Sequence, residues 1–132
     1  MSALFLYGVL RPDVAPETVR PLLDGIGPGW SATVPGSLWA IPDPQGWYPA
    51  LLPGEGIVQG TFHEAGDVDM DALARFEGSD YTLTRVTVTS ASGELPAVAW
   101  LYTADLPNTA ERIANGDFAE WLAETGRTPF AP

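Results

Sequence analysis

The 132-residue sequence contains no cysteine, a single histidine and few basic residues. The absence of cysteine excludes disulfides, thiolate zinc sites and thiol nucleophiles. A metal site would have to combine His63 with carboxylates alone, and a catalytic triad would need a nucleophile paired with it. We therefore expect no metal, and we interpret His63 as a strand-end or surface residue.

Basic side chains are scarce, because 6 basic residues stand against 17 acidic ones and the net charge is −11. Contacts with nucleic acid or with an anionic membrane surface need clustered Lys and Arg, so we expect neither partner. The excess of acid is typical of a soluble protein. An anionic ligand would have to be held by local N–H groups, since the overall field repels it.

Long hydrophobic runs are missing as well. No run approaches the roughly 20 residues of a membrane-spanning helix. The N-terminal residues 1–7 lack the basic region and the long apolar segment of a signal peptide. We expect a cytoplasmic protein.

The residues present predict one α+β domain over residues 1–132. Hydrophobic residues make up 45%, and 14 Gly and 13 Pro divide the chain into short segments. We predict a closed or nearly closed mixed β-barrel with short flanking helices. The predicted strands are 3–7, 34–41, 57–63, 82–89 and 97–103, with a separate apolar segment at 47–52 that Pro53-Gly54 closes. Helices are predicted over 69–77 and after Asp117, and Gly60 indicates a bulge or a close backbone approach.

Glu77 is the first candidate for chemistry. At helical spacing it falls between Met70 and Leu73, so it points with the apolar side chains. It also lies at the end of the helix, where the helix dipole and partial burial both raise a carboxylate pKa. A carboxylate tuned in this way suits proton transfer near neutral pH. The alternative is a solvated Glu77, or one paired with Arg75 or Arg85.

The segment Tyr7-Gly8-Val9-Leu10 is the second candidate. A glycine directly after a buried strand lets the backbone turn, so that successive N–H groups can bind a carboxylate. The alternative is an ordinary strand-to-loop turn. Other residues suggest less. Three aspartates alternate at 67–71 like the start of a calcium loop, but helix capping by Asp67 or Asp69 explains two of them better. Trp39, Trp47 and Tyr48 could line a pocket.

Several short motifs, in order along residues 3–103, resemble the gamma-glutamyl cyclotransferase-like superfamily. Residues 6–12 are similar to its "YG(S/T)L" substrate loop, and residues 36–39 and 48–51 to its middle strand and "YPA" segment. Residues 58–60 resemble its "V-x-G" strand. Residues 73–78 with Tyr81 and Arg85 resemble its "L-x-x-x-EG…Y-x-R" stretch.

This resemblance implies a mixed β-barrel and a cofactor-independent reaction on a small molecule. The α-amino-acid end of a gamma-glutamyl compound would be held by Tyr7, Gly8, Val9 and Leu10. Its α-amine would attack its own γ-carbonyl and release an amine or amino acid with 5-oxoproline, while Glu77 acts as the acid and base. Tyr48 and Tyr81 are further candidates for substrate binding.

Val9 is a departure from the family, whose loop carries Ser or Thr at this position. The backbone N–H is retained, but a hydroxyl donor is lost. A second hypothesis follows, in which the same pocket serves a binding or regulatory module without turnover. A third is a partner-binding protein that uses exposed aromatic residues such as Trp121.

Overall fold

Five strands close into a mixed β-barrel, as the sequence predicts. The computed structural model describes residues 3–132; Met1 and Ser2, which belong to the argument about a signal peptide, lie outside the described residues. The strands are β1 Ala3–Leu6, β2 Gly29–Asp43, β3 Gly46–Glu64, β4 Tyr81–Ser90, β5 Gly93–Tyr102 and β6 Glu111–Arg112. The helices are a 3-10 turn, Arg20–Leu23, and α1 Met70–Glu77 and α2 Phe118–Thr125.

The barrel order is β3-β1-β5-β4-β2, and β2 pairs with β3 to close the ring. The pairing of β1 with β5 is parallel, while the other barrel pairs are antiparallel. The short β6 pairs with β2 outside this ring. Because β1 is a central strand between β3 and β5, the loop that follows it emerges at the end of the barrel.

Strands β2 and β3 are longer than predicted. The sequence suggested separate segments at 47–52 and 57–63, but a single strand runs from Gly46 to Glu64. The pairing passes from Pro35–Ile57 to Ser37–Leu52, so residues 53–56 bulge out of the ladder. The prediction was wrong because the proline lies in this bulge, where its missing N–H costs no ladder hydrogen bond.

Both predicted helix caps are present. The side chain of Asp69 accepts a hydrogen bond from Ala72 N at 3.0 Å, and that of Asp117 accepts one from Glu120 N at 3.2 Å. The N–H of Asp117 donates a hydrogen bond to Asn115 Oδ1 at 3.1 Å. These caps satisfy helix N–H groups that would otherwise lack acceptors.

His63 lies at the end of β3, as predicted, but it is not a surface residue, since only 4% of it is exposed. Its ring nitrogens lie 3.0 Å from the Gly27 carbonyl oxygen and 2.8 Å from the Thr61 hydroxyl. A Cβ on Gly29 would lie 2.3 Å from the ring, so the cross-strand glycine provides the space that buries it. No local pattern in the sequence signals this pairing.

Gly60 lies at a close backbone approach, one of the two alternatives predicted for it. A Cβ at this position would lie 2.4 Å from the Leu6 carbonyl oxygen and 2.6 Å from Phe5 Cζ.

We expect Gly60→Ala to lower the free energy of unfolding by about 2–3 kcal/mol through overpacking, measured by urea denaturation. Gly126→Ala is the control, because its φ is +69° but no atom lies within 4 Å; we expect about 1 kcal/mol there. Equal losses would contradict the overpacking argument.

Candidate functional site

A pocket of about 230 Å³ opens at the end of the barrel, between the loop after β1, the start of β3 and the end of α1. Its size is near the lower end of small-molecule sites, about 300–1,000 Å³. All the residues predicted for the site line it: Tyr7, Gly8, Val9, Leu10, Tyr48, Glu77 and Tyr81. The fold thus brings into one cavity two segments about 70 positions apart in the sequence.

The loop after β1 follows the wall of this pocket. A turn closes it, because Arg11 N donates to the Gly8 carbonyl oxygen at 2.9 Å. Within the described part of the chain, the N–H groups of Gly8, Val9 and Leu10 have no hydrogen-bond acceptor, although these residues are buried. Buried N–H groups almost always have a partner, so these amides are available to a ligand acceptor such as a carboxylate.

Gly8 is required at its position by a close contact. A Cβ there would lie 2.1 Å from Pro49 Cγ and 2.8 Å from Pro49 Cδ. Only a residue without a side chain lets the loop lie against the proline ring. The same Pro49 offers its carbonyl oxygen to the Tyr81 hydroxyl at 2.6 Å, so it joins the loop to β4.

Arg11 fixes the far end of the loop. Its guanidinium is buried and donates Nε and one terminal nitrogen to the Asp13 carboxylate, at 3.0 and 2.8 Å. The other terminal nitrogen lies 3.0 Å from Asp117 Oδ1, the oxygen that caps α2. A bidentate pair of this type is geometrically specific, so the loop is tied to the start of α2.

Glu77 is the last residue of α1, and the pocket receives its carboxylate. Burial disfavours the charged form and raises the pKa of Glu77 from an ordinary 4.5 to about 8. No salt bridge to Glu77 occurs among residues 3–132, so the alternative pairing with Arg75 or Arg85 is not observed. Arg85 lines a separate groove instead. Glu77 is therefore a carboxyl group that can exchange a proton near neutral pH.

The buried tyrosines act as hydrogen-bond donors. Tyr7 donates its hydroxyl to the Trp100 carbonyl oxygen. Burial, reinforced by the Glu77 charge, raises the Tyr7 pKa well above 10, and burial likewise raises that of Tyr81. Both hydroxyls therefore stay protonated and orient the pocket wall rather than supply a base.

Eight residues of the pocket lining were not predicted as site residues. They are Phe5, Leu6, Asp43, Pro49, Phe76, Asp80, Trp100 and Phe130. Phe76 directly precedes the predicted Glu77, which was the available signal for it, but nothing in the sequence places Phe130 beside Tyr48. Conversely, Trp39 and Trp47 do not line the pocket: Arg112 stacks on the first, and Trp121 and Arg127 pack on the second.

The pattern of residues is also found in known proteins. Residues 4–121 match the sequence profile described as "Gamma-glutamyl cyclotransferase, AIG2-like". This chain belongs to that family. The family match includes the loop after β1 and Glu77, but it ends before the pocket residue Phe130.

Solved structures share the fold of this family member. YkqA from Bacillus subtilis has a TM-score of 0.75 at 24% identity; the match covers 95% of this chain and 42% of that one. PH0828 from Pyrococcus horikoshii has a TM-score of 0.67 at 22% identity, covering 96% and 97%. An AIG2-like protein from Mus musculus has a TM-score of 0.65 at 21% identity, covering 81% and 80%. This chain thus spans less than half of YkqA.

No curated protein matches this family member. Over residues 3–132, the structure has no group of three or more His, Asp or Glu side chains arranged to hold a metal ion. None of the helices described is long and apolar enough to cross a membrane.

Burial of Glu77 predicts a pH-dependent stability. Its folded pKa of about 8 exceeds the ordinary 4.5, so folded protein retains a proton that unfolded protein releases between these values. Stability is therefore lost as pH rises through this window. We expect Glu77→Gln to be more stable than wild type by about 4–5 kcal/mol at pH 8.5, because stability changes by about 1.4 kcal/mol per pH unit between 4.5 and about 8, with the difference vanishing near pH 4.

Urea denaturation at both pH values measures this difference. The control is Glu17→Gln, which removes an exposed carboxylate with the same change in charge. A stability difference for Glu77→Gln that is independent of pH would contradict a raised pKa.

Proposed function

We propose that this family member is a gamma-glutamyl cyclotransferase that converts a small gamma-glutamyl amide to 5-oxoproline and a free amine. The observation that carries the proposal is that Glu77 and the unpaired amides of the loop line one pocket. Membership of the family supports the reaction class. No bound cofactor enters the proposed steps.

The loop would bind the α-carboxylate of the substrate. Gly8, Val9 and Leu10 present N–H groups without internal acceptors, and a carboxylate can accept several of them. Backbone donors suit a protein of net charge −11, because they bind an anion locally where the overall field is unfavourable. The α-ammonium group would then lie within the same cavity as Glu77.

Glu77 would transfer the proton. Its carboxylate takes a proton from the α-ammonium, and the resulting amine attacks the γ-carbonyl carbon to form the lactam C–N bond. The bond to the leaving nitrogen breaks as Glu77 returns a proton to that nitrogen, and the released amine takes up the second proton lost by the attacking nitrogen. Cyclisation is intramolecular, so positioning lowers much of the barrier and a single carboxyl group suffices.

Release of 5-oxoproline from gamma-glutamyl amides tests the reaction. We expect Glu77→Gln to lower kcat/KM by about 10²–10⁴-fold, since the amide retains the shape but transfers no proton. In wild type, kcat/KM should rise with pH with an apparent pKa near 8, because proton removal requires ionised Glu77. Unchanged turnover in Glu77→Gln would refute the assignment.

Val9 provides a second test of the proposed function, because the "YG(S/T)L" motif that this loop resembles carries a hydroxyl residue at that position. Val9→Thr is close in shape and adds a donor next to the loop amides. We expect KM to fall by about fivefold, the value of one net hydrogen bond, with kcat little changed. Val9→Ala, which lowers the bulk without adding a hydroxyl, is the control. A Thr variant no better than wild type would show that the amides alone hold the carboxylate.

The alternative is a binding module that uses this pocket without turnover. The observation in its favour is that Val9 stands where the family motif has Ser or Thr. It predicts that gamma-glutamyl amides raise the melting temperature without releasing 5-oxoproline. Release of product by the wild type would exclude it.

A further inference from the structure

The mouth of the pocket has a different chemistry from its interior. It consists of Asp43, Tyr48, Phe76, Asp80 and Phe130, which are half-buried or exposed, whereas the inner residues such as Phe5 and Tyr7 are buried. Resting on the function proposed above, we propose that this mouth selects a leaving amine that carries a further positive charge. The mouth residues would then determine specificity for the departing half of the substrate.

Three aromatic rings form one wall of the mouth. The ring centroid of Phe130 lies 5.9 Å from that of Tyr48 and 6.0 Å from that of Phe76, with interplanar angles of 79° and 57°. Because the rings are inclined to one another, both ring faces and ring edges line the mouth of the pocket. A cation over an aromatic face is attracted by the ring quadrupole, whereas an anion is repelled.

Two carboxylates flank these rings. Asp43 and Asp80 both line the pocket, and neither forms a salt bridge within residues 3–132. Their charges reach the mouth, because after burial and Tyr102 they contribute to the raised pKa of Tyr48. The pocket lining contains no Arg or His, and the chain contains no Lys. A cationic group would therefore meet attraction from every charged neighbour at the mouth.

A negatively charged leaving group fits the mouth poorly. A leaving amino acid would bring a carboxylate next to Asp43 and Asp80 with no basic side chain to pair with it. Like charges at short range are unfavourable even in partly solvated surroundings. The mouth therefore favours an ammonium over a neutral group and a neutral group over a carboxylate.

The aromatic wall is held rigidly by the C-terminal segment. Trp47 N donates to the Thr128 carbonyl oxygen at 3.0 Å, and Phe130 N donates to the Trp47 carbonyl oxygen at 2.7 Å. Arg127 stacks on Trp47 with its guanidinium carbon 4.3 Å from the ring centroid, and it forms an ion pair with Glu111 at 2.6 Å. This segment lies beyond the family match, which ends at residue 121. Phe130 is thus a feature of this chain that the family pattern does not supply.

Three gamma-glutamyl amides of equal chain length test the inference. They are the amides of butane-1,4-diamine, pentylamine and 5-aminopentanoate, which end in an ammonium, a methyl and a carboxylate. At low salt we expect kcat/KM for the ammonium compound to exceed that of the neutral one by about tenfold, and the carboxylate compound to be the poorest. The preference should shrink as salt screens the carboxylates.

Two variants assign the preference to the mouth. Asp43→Asn with Asp80→Asn should reduce the preference for the ammonium over the neutral amide to about twofold, and Asn keeps the oxygen that accepts Gln45 N. Phe130→Leu should lower kcat/KM for the ammonium compound about threefold more than kcat/KM for the neutral one. Asp24→Asn, an exposed carboxylate away from the pocket, should change nothing.

Binding separates this inference from the proposed reaction. Affinities of the three amides for Glu77→Gln, measured by calorimetry, should show the same order whether or not wild type turns them over. Equal affinities, or an order unchanged by the double Asp variant, would overturn the inference. Failure of the wild type to release 5-oxoproline from any of the three would instead overturn the proposed function.

Discussion

The close packing of Gly8 on Pro49 is the contact on which the site depends. It brings the loop after β1 against β3, and the Pro49 carbonyl oxygen binds the Tyr81 hydroxyl of β4. Three strands therefore meet at one proline, and the unpaired loop amides are held at the end of the barrel. A side chain at residue 8 would separate these parts, because no room exists for even one methyl group.

Glu77 places a carboxyl group where its ionised form is unfavourable. Glu77 is half-buried at the end of a helix, without a basic partner in the described structure. Such a residue costs stability whenever it ionises. Its presence is understandable if the site needs a proton acceptor near neutral pH, since strongly shifted carboxylates occur often at functional sites.

The pocket is lined both by residues inside the family match and by a residue beyond it. The loop amides and Glu77 lie within the family match, while Phe130 comes from the segment beyond it. In the proposed function, the inner part would carry the reaction and the mouth would recognise the leaving amine. This division follows from the fold, because the barrel fixes the loop and α1, whereas the C-terminal segment only has to pack on the β2–β3 hairpin.

The sequence by itself determined the class of fold and several residues that line the candidate pocket. Apolar strand patterns, aspartate caps and the glycine after β1 are local signals, and the placement of Glu77 on the apolar side of a helix follows from the helical period. A glycine inside a strand indicates a bulge or a close backbone approach, and the structure shows the close approach at Gly60.

Only the tertiary structure decided the rest. It continued β3 through Pro53-Gly54, buried His63 over Gly29, and brought Phe130 and Asp43 to the pocket. These outcomes depend on which strands pair and on where the chain returns after α2. Local pattern carries no information on such long-range contacts, because they are set by the packing of segments far apart in the sequence.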